Sequence, residues 1–410
     1  MDDHRNGLRP WHLATQAVHA GKPRRHADFL PTVTPIHPSV TYRYDSMETL
    51  DEVFAGTREG YVYARYGNPT VAAFEQAVAT LERGEAGLAF SSGMAAIQAS
   101  LLGVGVRAGS CVVAAQDIYG ATYALLDQLM RRQGVSVRFV NASDLNAVEA
   151  ACADLRPTAF LVESISNPLL RVADIPALTD IAHRHGTQVL VDSTFATPYL
   201  VRPLDMGADV VIHSATKYLA GHGDVLGGVV VTSEALHGDI LEVLKMTGAN
   251  MAPQEAWLAL RGMRTLTLRM EAHCKNALQV SQWLVDHPAI TRVVYPGLDS
   301  HPDHHLSRRL FGEIGYGGVL SFEISDAGKE EVFQFFEALD LCLPATTLGD
   351  VYTLFLYPAH SSHRALSSEE RARIGISAGL VRMSVGIEAA EDLLQDLEQA
   401  LGTLGQPGRC

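Results

Sequence analysis

The 410-residue chain predicts an α/β protein, a mostly parallel central sheet followed by a smaller α+β C-terminal domain. Three observations carry this. β-branched runs with little apolar–polar alternation recur at 111–115, 135–140, 158–164, 187–193, 209–214 and 227–233, which marks strands buried on both faces. Helical stretches, among them 121–134 (ATYALLDQLMRRQG) and 175–186 (IPALTDIAHRHG), separate them, and repeated βα order gives parallel pairing. From about residue 264 strands and helices mix without strict alternation, the pattern of an α+β unit.

Composition narrows the function. A hydrophobic share of 47% and a charged share of 19% are those of a globular protein. A formal charge of −14 and a pI near 5.6 argue against nucleic acid and anionic membranes as partners. The five cysteines (Cys111, Cys152, Cys274, Cys342, Cys410) are scattered, odd in number and without a C-x-x-C pair. That fits a reducing compartment and no structural zinc. The N-terminus shows no signal-peptide core and no apolar run long enough for a membrane span, so the expected location is cytoplasmic.

In chain order, residues 1–66 read as an extended arm. Prolines 10, 23, 31, 35 and 38 forbid a continuous helix, and its Val, Ile and Tyr content favours packing, with a second subunit as the expected surface. The arm ends in GYVYARYGNPT, where Tyr61, Tyr63, Arg65 and Tyr66 form either a packing cluster or an anion clamp. The large domain then covers 67–263. Val71, Phe74, Val78 and Leu81 predict a helix by their spacing. In GLAFSSGMAAIQASLL a short apolar segment meets Ser91-Ser92-Gly93 and a helix opens at Met94. Such a turn is an ordinary N-cap or an anion site. The last domain covers 264–410. It holds the helical stretch LTLRMEAHCKNALQVSQWLVDH and ends on a strand and an amphipathic helix, GLVRMSVGIEAAEDLLQDLEQALG.

Candidate functional residues follow strands. Tyr119 comes after CVVAA, Asn167 after TAFLVES, Asp192 ends TQVLVD and Lys217 follows DVVIHS. In open parallel sheets ligands sit at those C-terminal strand ends. Lys217 enters a loop holding Gly221, Gly223, Gly227 and Gly228, with Ser214 and Thr216 beside it. It reads as a Schiff-base lysine with hydroxyls for a phosphate, or as a surface lysine in a polar turn. Asp192 must be paired or hydrogen-bonded if buried. It is a partner for a pyridinium nitrogen, a helix cap or a metal ligand. Tyr119 could stack on a planar cofactor and act as an acid. Arg382 lies inside the apolar strand LVRMSV; it serves a salt bridge or captures a substrate carboxylate. The His301, His304 and His305 group lacks a carboxylate at ligand spacing, and Gly103, Gly105 and Gly109 lack the spacing of a dinucleotide fingerprint. No metal site is expected.

The segments YARYGNPT, SSGMAA, YGATY, VDSTFATP, SATKYLAGHGD, RGMRTLTLRM and GLVRMSVGIE, in this order, resemble the Cys/Met-metabolism enzymes that depend on pyridoxal phosphate. The likeness runs from about residue 30 to the C-terminus. It implies an aspartate aminotransferase-like fold (fold type I) and a homotetramer of tight dimers. By resemblance, Lys217 carries pyridoxal 5'-phosphate and shuttles protons, Asp192 pairs with the ring nitrogen, and Tyr119 stacks on the ring and protonates the leaving group. Gly93, Met94, Ser214 and Thr216 would hold the phosphate, joined by Tyr63 and Arg65 of a neighbouring subunit. Arg382, Asn167 and Thr347 would bind the substrate carboxylate. The implied reaction is α,γ-elimination from a sulfur-containing L-amino acid, giving a 2-oxo acid, ammonia and a thiol; γ-replacement is the alternative. Ala121 stands where methionine gamma-lyases carry Cys, Thr346 where enzymes acting on cystathionine carry an acid, and GHGD (221–224) looks like the methionine enzymes.

Overall fold

The computed structural model describes residues 11–21, 31–361, 364 and 367–404. Pro10, Pro23 and Cys410 lie outside the described residues. Seven strands form the first sheet: β1 (Ala86–Phe90), β2 (Cys111–Ala115), β3 (Ser136–Val140), β4 (Ala159–Glu163), β5 (Gln188–Asp192), β6 (Val210–Ser214) and β7 (Gly228–Thr232). Their order is β1-β7-β6-β5-β4-β2-β3. The six expected β-branched runs are β2 to β7, to within a residue or two. Val112, Phe160, Val189, Val210 and Val230 are all fully buried.

The sheet is parallel from β6 to β3, but β7 runs antiparallel to both β1 and β6. A parallel return needs a crossover, usually helical. Residues 215–227 stay in a loop at the C-terminal end of β6, so the chain comes back reversed. The loop that carries Lys217 is therefore held at the strand ends.

Helices flank the sheet. The helix Pro69–Glu82 starts at Asn68, whose side chain accepts from the N–H groups of Thr70 and Val71, with Pro69 in the first turn. Val71, Phe74, Val78 and Leu81 are its buried stripe. After Tyr119 the helix Gly120–Ala124 widens into a π-helical turn, Leu125–Met130, where the sequence reads as one regular helix.

The second sheet contains β8 (Ile290–Val294), β9 (Val319–Ile324), β10 (Leu343–Pro344), β11 (Leu354–Leu356) and β12 (Leu380–Ser384), in the order β10-β11-β12-β9-β8. Phe322, Phe335 and Phe355 meet edge to face beneath it, with ring centroids 5.5–6.2 Å apart. The helix Leu266–Asp286 joins the two cores. Leu266, Met270 and Cys274 belong to the first, Ala277, Val280 and Leu284 to the second.

The N-terminal segment is not extended throughout. It contains the helices Leu13–His19 and Met47–Phe54. The second starts where Ser46 accepts from Thr49 N–H, and it buries no residue. Residues 34–37 lie on their own chain: Thr70 Oγ1 donates to the Pro35 carbonyl and Trp257 Nε1 to the Thr34 carbonyl. No helix among the described residues is long and apolar enough to cross a membrane.

Candidate active site

The strand order reverses between β2 and β4, and the crevice at such a point is where an open α/β sheet binds ligands. A cavity of about 230 Å³ opens there. Tyr119 from the loop after β2, Glu163 and Asn167 at and after β4, and Asp192 and Thr194 at and after β5 face it. Ser214, Thr216 and Lys217 come from the end of β6, and Ser92, Gly93 and Met94 from the start of the helix Gly93–Gly103. The second unit adds Thr346, Leu348 and Arg382. The structure thus brings together every expected site residue except Tyr63 and Arg65; Thr347 joins the group through its hydrogen bonds to Lys217 and Arg382.

Lys217 Nζ donates to Thr347 Oγ1 at 2.7 Å. Burial, reinforced by the nearby Arg382 charge, pulls the lysine down from 10.5 to about 8. About a tenth of the amine is then neutral at pH 7, several hundredfold more than at the ordinary value, and a base or nucleophile needs that form. Arg382 lies in β12 and is buried. Its Nη1 donates to Asn167 Oδ1 at 3.2 Å and its Nη2 to the Thr347 carbonyl at 2.9 Å, while its Nε has no partner. Desolvation lowers it to about 10. Among the described residues no carboxylate pairs with it, so the site offers a buried cation to an incoming carboxylate. Thr347 thus lies between the two, its hydroxyl on the amine and its carbonyl on the guanidinium.

Asp192 accepts from Thr194 N–H at 3.0 Å and from Thr194 Oγ1 at 2.5 Å. Burial raises its pKa, against those two hydrogen bonds. No cationic side chain among the described residues pairs with it, which suits a protonated ring nitrogen. The helix Gly93–Gly103 is capped by Ser92 Oγ, which accepts from Ala95 N–H. The N–H groups of its first turn have no intrahelical acceptor and point at the cavity end, where a phosphate is favoured. Gly228 makes this possible: a Cβ there would lie 2.3 Å from the Ser92 carbonyl oxygen, so only glycine lets β7 pass. The donor set fits a phosphate, the lysine an aldehyde and the aspartate a pyridine ring.

Tyr63 and Arg65 lie away from this cavity in their own chain. Arg65 Nη1 donates to the Lys245 carbonyl at 2.6 Å, and its guanidinium sits 4.8 Å from the centre of the Tyr66 ring. Two residues escaped the sequence reading. Glu163 ends β4 beside Asp192 and accepts from Tyr119 N–H at 2.6 Å. The signal for it was its place, one strand over from Asp192. Arg269, the last arginine of RGMRTLTLRM, is buried and donates to the carbonyls of Tyr218, Leu219 and Gly262 and to Thr265 Oγ1. It clamps the turn that follows Lys217. Two histidines of HPDHH are held by their own chain: His304 bonds the Pro296 carbonyl and Asp299, and His301 accepts from Asp303 N–H.

The fold and this donor set define an α/β enzyme built around a lysine-bound, phosphorylated ring cofactor. A family profile described as Cys/Met metabolism PLP-dependent enzyme matches residues 14–402. The chain belongs to this family, and pyridoxal phosphate is its cofactor. It is 44% identical over 392 residues to an L-methionine gamma-lyase of Fusobacterium nucleatum subsp. nucleatum, covering 95% of this chain and 98% of that one. It is 41% identical over 396 residues to an O-succinylhomoserine sulfhydrylase of Pseudomonas aeruginosa, covering 95% of both. The crystal structure of a cystathionine gamma-lyase from Lactobacillus plantarum, complexed with L-serine, superposes with a TM-score of 0.89 at 38% identity. That match covers 96% of this chain and 99% of the other. The expected fold, type I among these enzymes, is the one found.

Proposed function

We propose that this enzyme eliminates the γ-substituent of a sulfur-containing L-amino acid such as methionine, releasing a 2-oxo acid, ammonia and a thiol. The observation that carries this is the pair of groups joined through Thr347: the Lys217 amine on its hydroxyl and the Arg382 guanidinium on its carbonyl. Arg382, with Asn167, binds the substrate carboxylate. That places the α-carbon beside Lys217, which takes the proton from it and moves protons at the β-carbon. Bound pyridoxal phosphate supplies the electron sink, which Asp192 sustains by keeping the ring nitrogen protonated. The first turn at Gly93 and Met94, with Ser214 and Thr216, holds the phosphate. Tyr119 covers the ring and gives a proton to the departing thiolate. Much of the remaining wall is apolar, from Ile97, Ile165, Phe195, Leu226 and Leu348. It excludes water and suits an uncharged thioether, and neutral Thr346 offers no counter-charge to a distal amino group.

Tyr63 and Arg65 complete the phosphate site of a neighbouring copy in a homotetramer, which acts in the cytoplasm. The sulfhydrylase relative from Pseudomonas aeruginosa keeps γ-replacement as the second reading. The test supplies methionine, homocysteine and cystathionine alone, then O-acetyl- or O-succinylhomoserine with sulfide or cysteine. Release of 2-oxo acid from the first set supports elimination. Product only with an added nucleophile makes the enzyme a synthase. Lys217→Ala should lose both turnover and the yellow colour of the bound cofactor, and a variant that keeps the colour refutes the lysine assignment.

A further inference from the structure

Glu163 has no role in the chemistry above, yet it faces the same cavity. It is the last residue of β4 and stands in parallel register with Asp192 at the end of β5. Two buried carboxyls therefore lie side by side, with Asp117 also near. No cation among the described residues pairs with either. Two adjacent buried carboxyls do not both ionise. Each carboxyl accepts two hydrogen bonds, Asp192 from Thr194 and Glu163 from the backbone N–H groups of Tyr119 and Asn167, but His213 favours charge on Asp192 while Asp192 and Asp117 both disfavour it on Glu163, so Glu163 is the one that stays protonated.

Glu163 Oε1 accepts from the backbone N–H of Tyr119 at 2.6 Å. Tyr119 immediately precedes the helix Gly120–Ala124 and makes no side-chain cap bond there. The residue is 44% exposed, and its hydroxyl bonds to no described residue. β2 and β4 are neighbours where the strand order reverses. The Glu163 bond thus ties the loop after β2 to the end of β4, across the crevice that holds the ligand.

We propose that Glu163 is a positioning residue: its uncharged carboxyl holds the Tyr119 backbone and so sets where the Tyr119 hydroxyl stands over the cavity. The inference rests on the elimination reading only in giving Tyr119 the leaving-group proton. Glutamine keeps the shape, the neutrality and the accepting oxygen; alanine removes the acceptor.

The test compares E163A and E163Q by hydrogen–deuterium exchange of the cofactor-free protein and by kcat and KM of the holoenzyme. E163A should raise deuterium uptake across residues 117–124 and lower kcat about tenfold, the scale of one lost backbone hydrogen bond, with KM little changed because Arg382 is untouched. E163Q should restore the uptake and recover most of kcat. An E163Q as impaired as E163A overturns the proposal, as does an E163A whose uptake stays at the wild-type level. Should E163A fail to fold, E163D, one methylene too short, takes its place with the same expectations. A wild-type enzyme that releases no 2-oxo acid, but whose uptake follows this pattern, refutes elimination and leaves the positioning role standing.

Discussion

Burial sets the working range of Lys217. The amine titrates at about 8 in the folded chain against 10.5 ordinarily, because desolvation and the Arg382 charge both disfavour the ammonium. The sign for stability follows. Between pH 8 and 10.5 the unfolded chain binds the extra proton, so this residue makes stability rise with pH across that window and contributes no pH dependence below it. Reactivity follows the same titration. In the cofactor-free protein, labelling of Lys217 by an amine-directed reagent should reach half its maximum near pH 8, and a midpoint near 10.5 would contradict the burial. Lys217 and Asp192 were legible because strand-end polar residues stand out against apolar runs. Glu163 was not, since a glutamate closing LVES looks like any carboxylate leaving a sheet. Thr347 was placed with the right neighbours, and only folding shows that its hydroxyl also meets the lysine.

Single elements show how the sheet edge is closed. β1 is an edge strand, and open edges invite unwanted pairing. Ser91 N–H donates to the Ala249 carbonyl and Met251 N–H to the Ala89 carbonyl, while Ala89 N–H donates to Glu75 Oε1 at 2.8 Å. Burial pushes Glu75 up to about 7, against that one hydrogen bond. The native state holds a proton that the unfolded chain gives up near 4.5, so this group lowers stability as pH rises from 4.5 to 7. Glu75→Gln keeps an acceptor and does not titrate. At pH 8 it should stabilise the protein by about 1–3 kcal/mol, and at pH 4 by far less, as read by urea denaturation at both pH values. The strands themselves were plain in the sequence, being buried on both faces. The reversal of β7 was not, because direction depends on where residues 215–227 travel. Gly221 illustrates the same limit. Its φ is +70°, and a Cβ there would fall 1.9 Å from an Arg269 guanidinium nitrogen, a neighbour 48 positions away in sequence.

At the scale of the molecule, the two cores share one long helix, and the cavity draws residues from both. The assembly question is then whether a second copy completes the site. Hybrids formed from Lys217→Ala and Arg65→Ala chains answer it. If Arg65 serves the neighbour, each mixed pair regains one intact site, and activity returns on mixing two inactive variants. Absence of recovery in verified hybrids would place Arg65 in service of its own chain. The arm was legible as non-helical only in part, since Ser46 and the residues after it start a helix that buries no residue in its own chain. Thr347 has a consequence at this scale too. Its side chain meets a group carried by one core and its carbonyl a group carried by the other, so the gap between amine and guanidinium is the reach of a single residue. With Arg382 taking the carboxylate as proposed, that fixed gap suits one carbon between nitrogen and carboxylate, and a β-amino acid added to the substrate panel should turn over far more slowly than an α-amino acid.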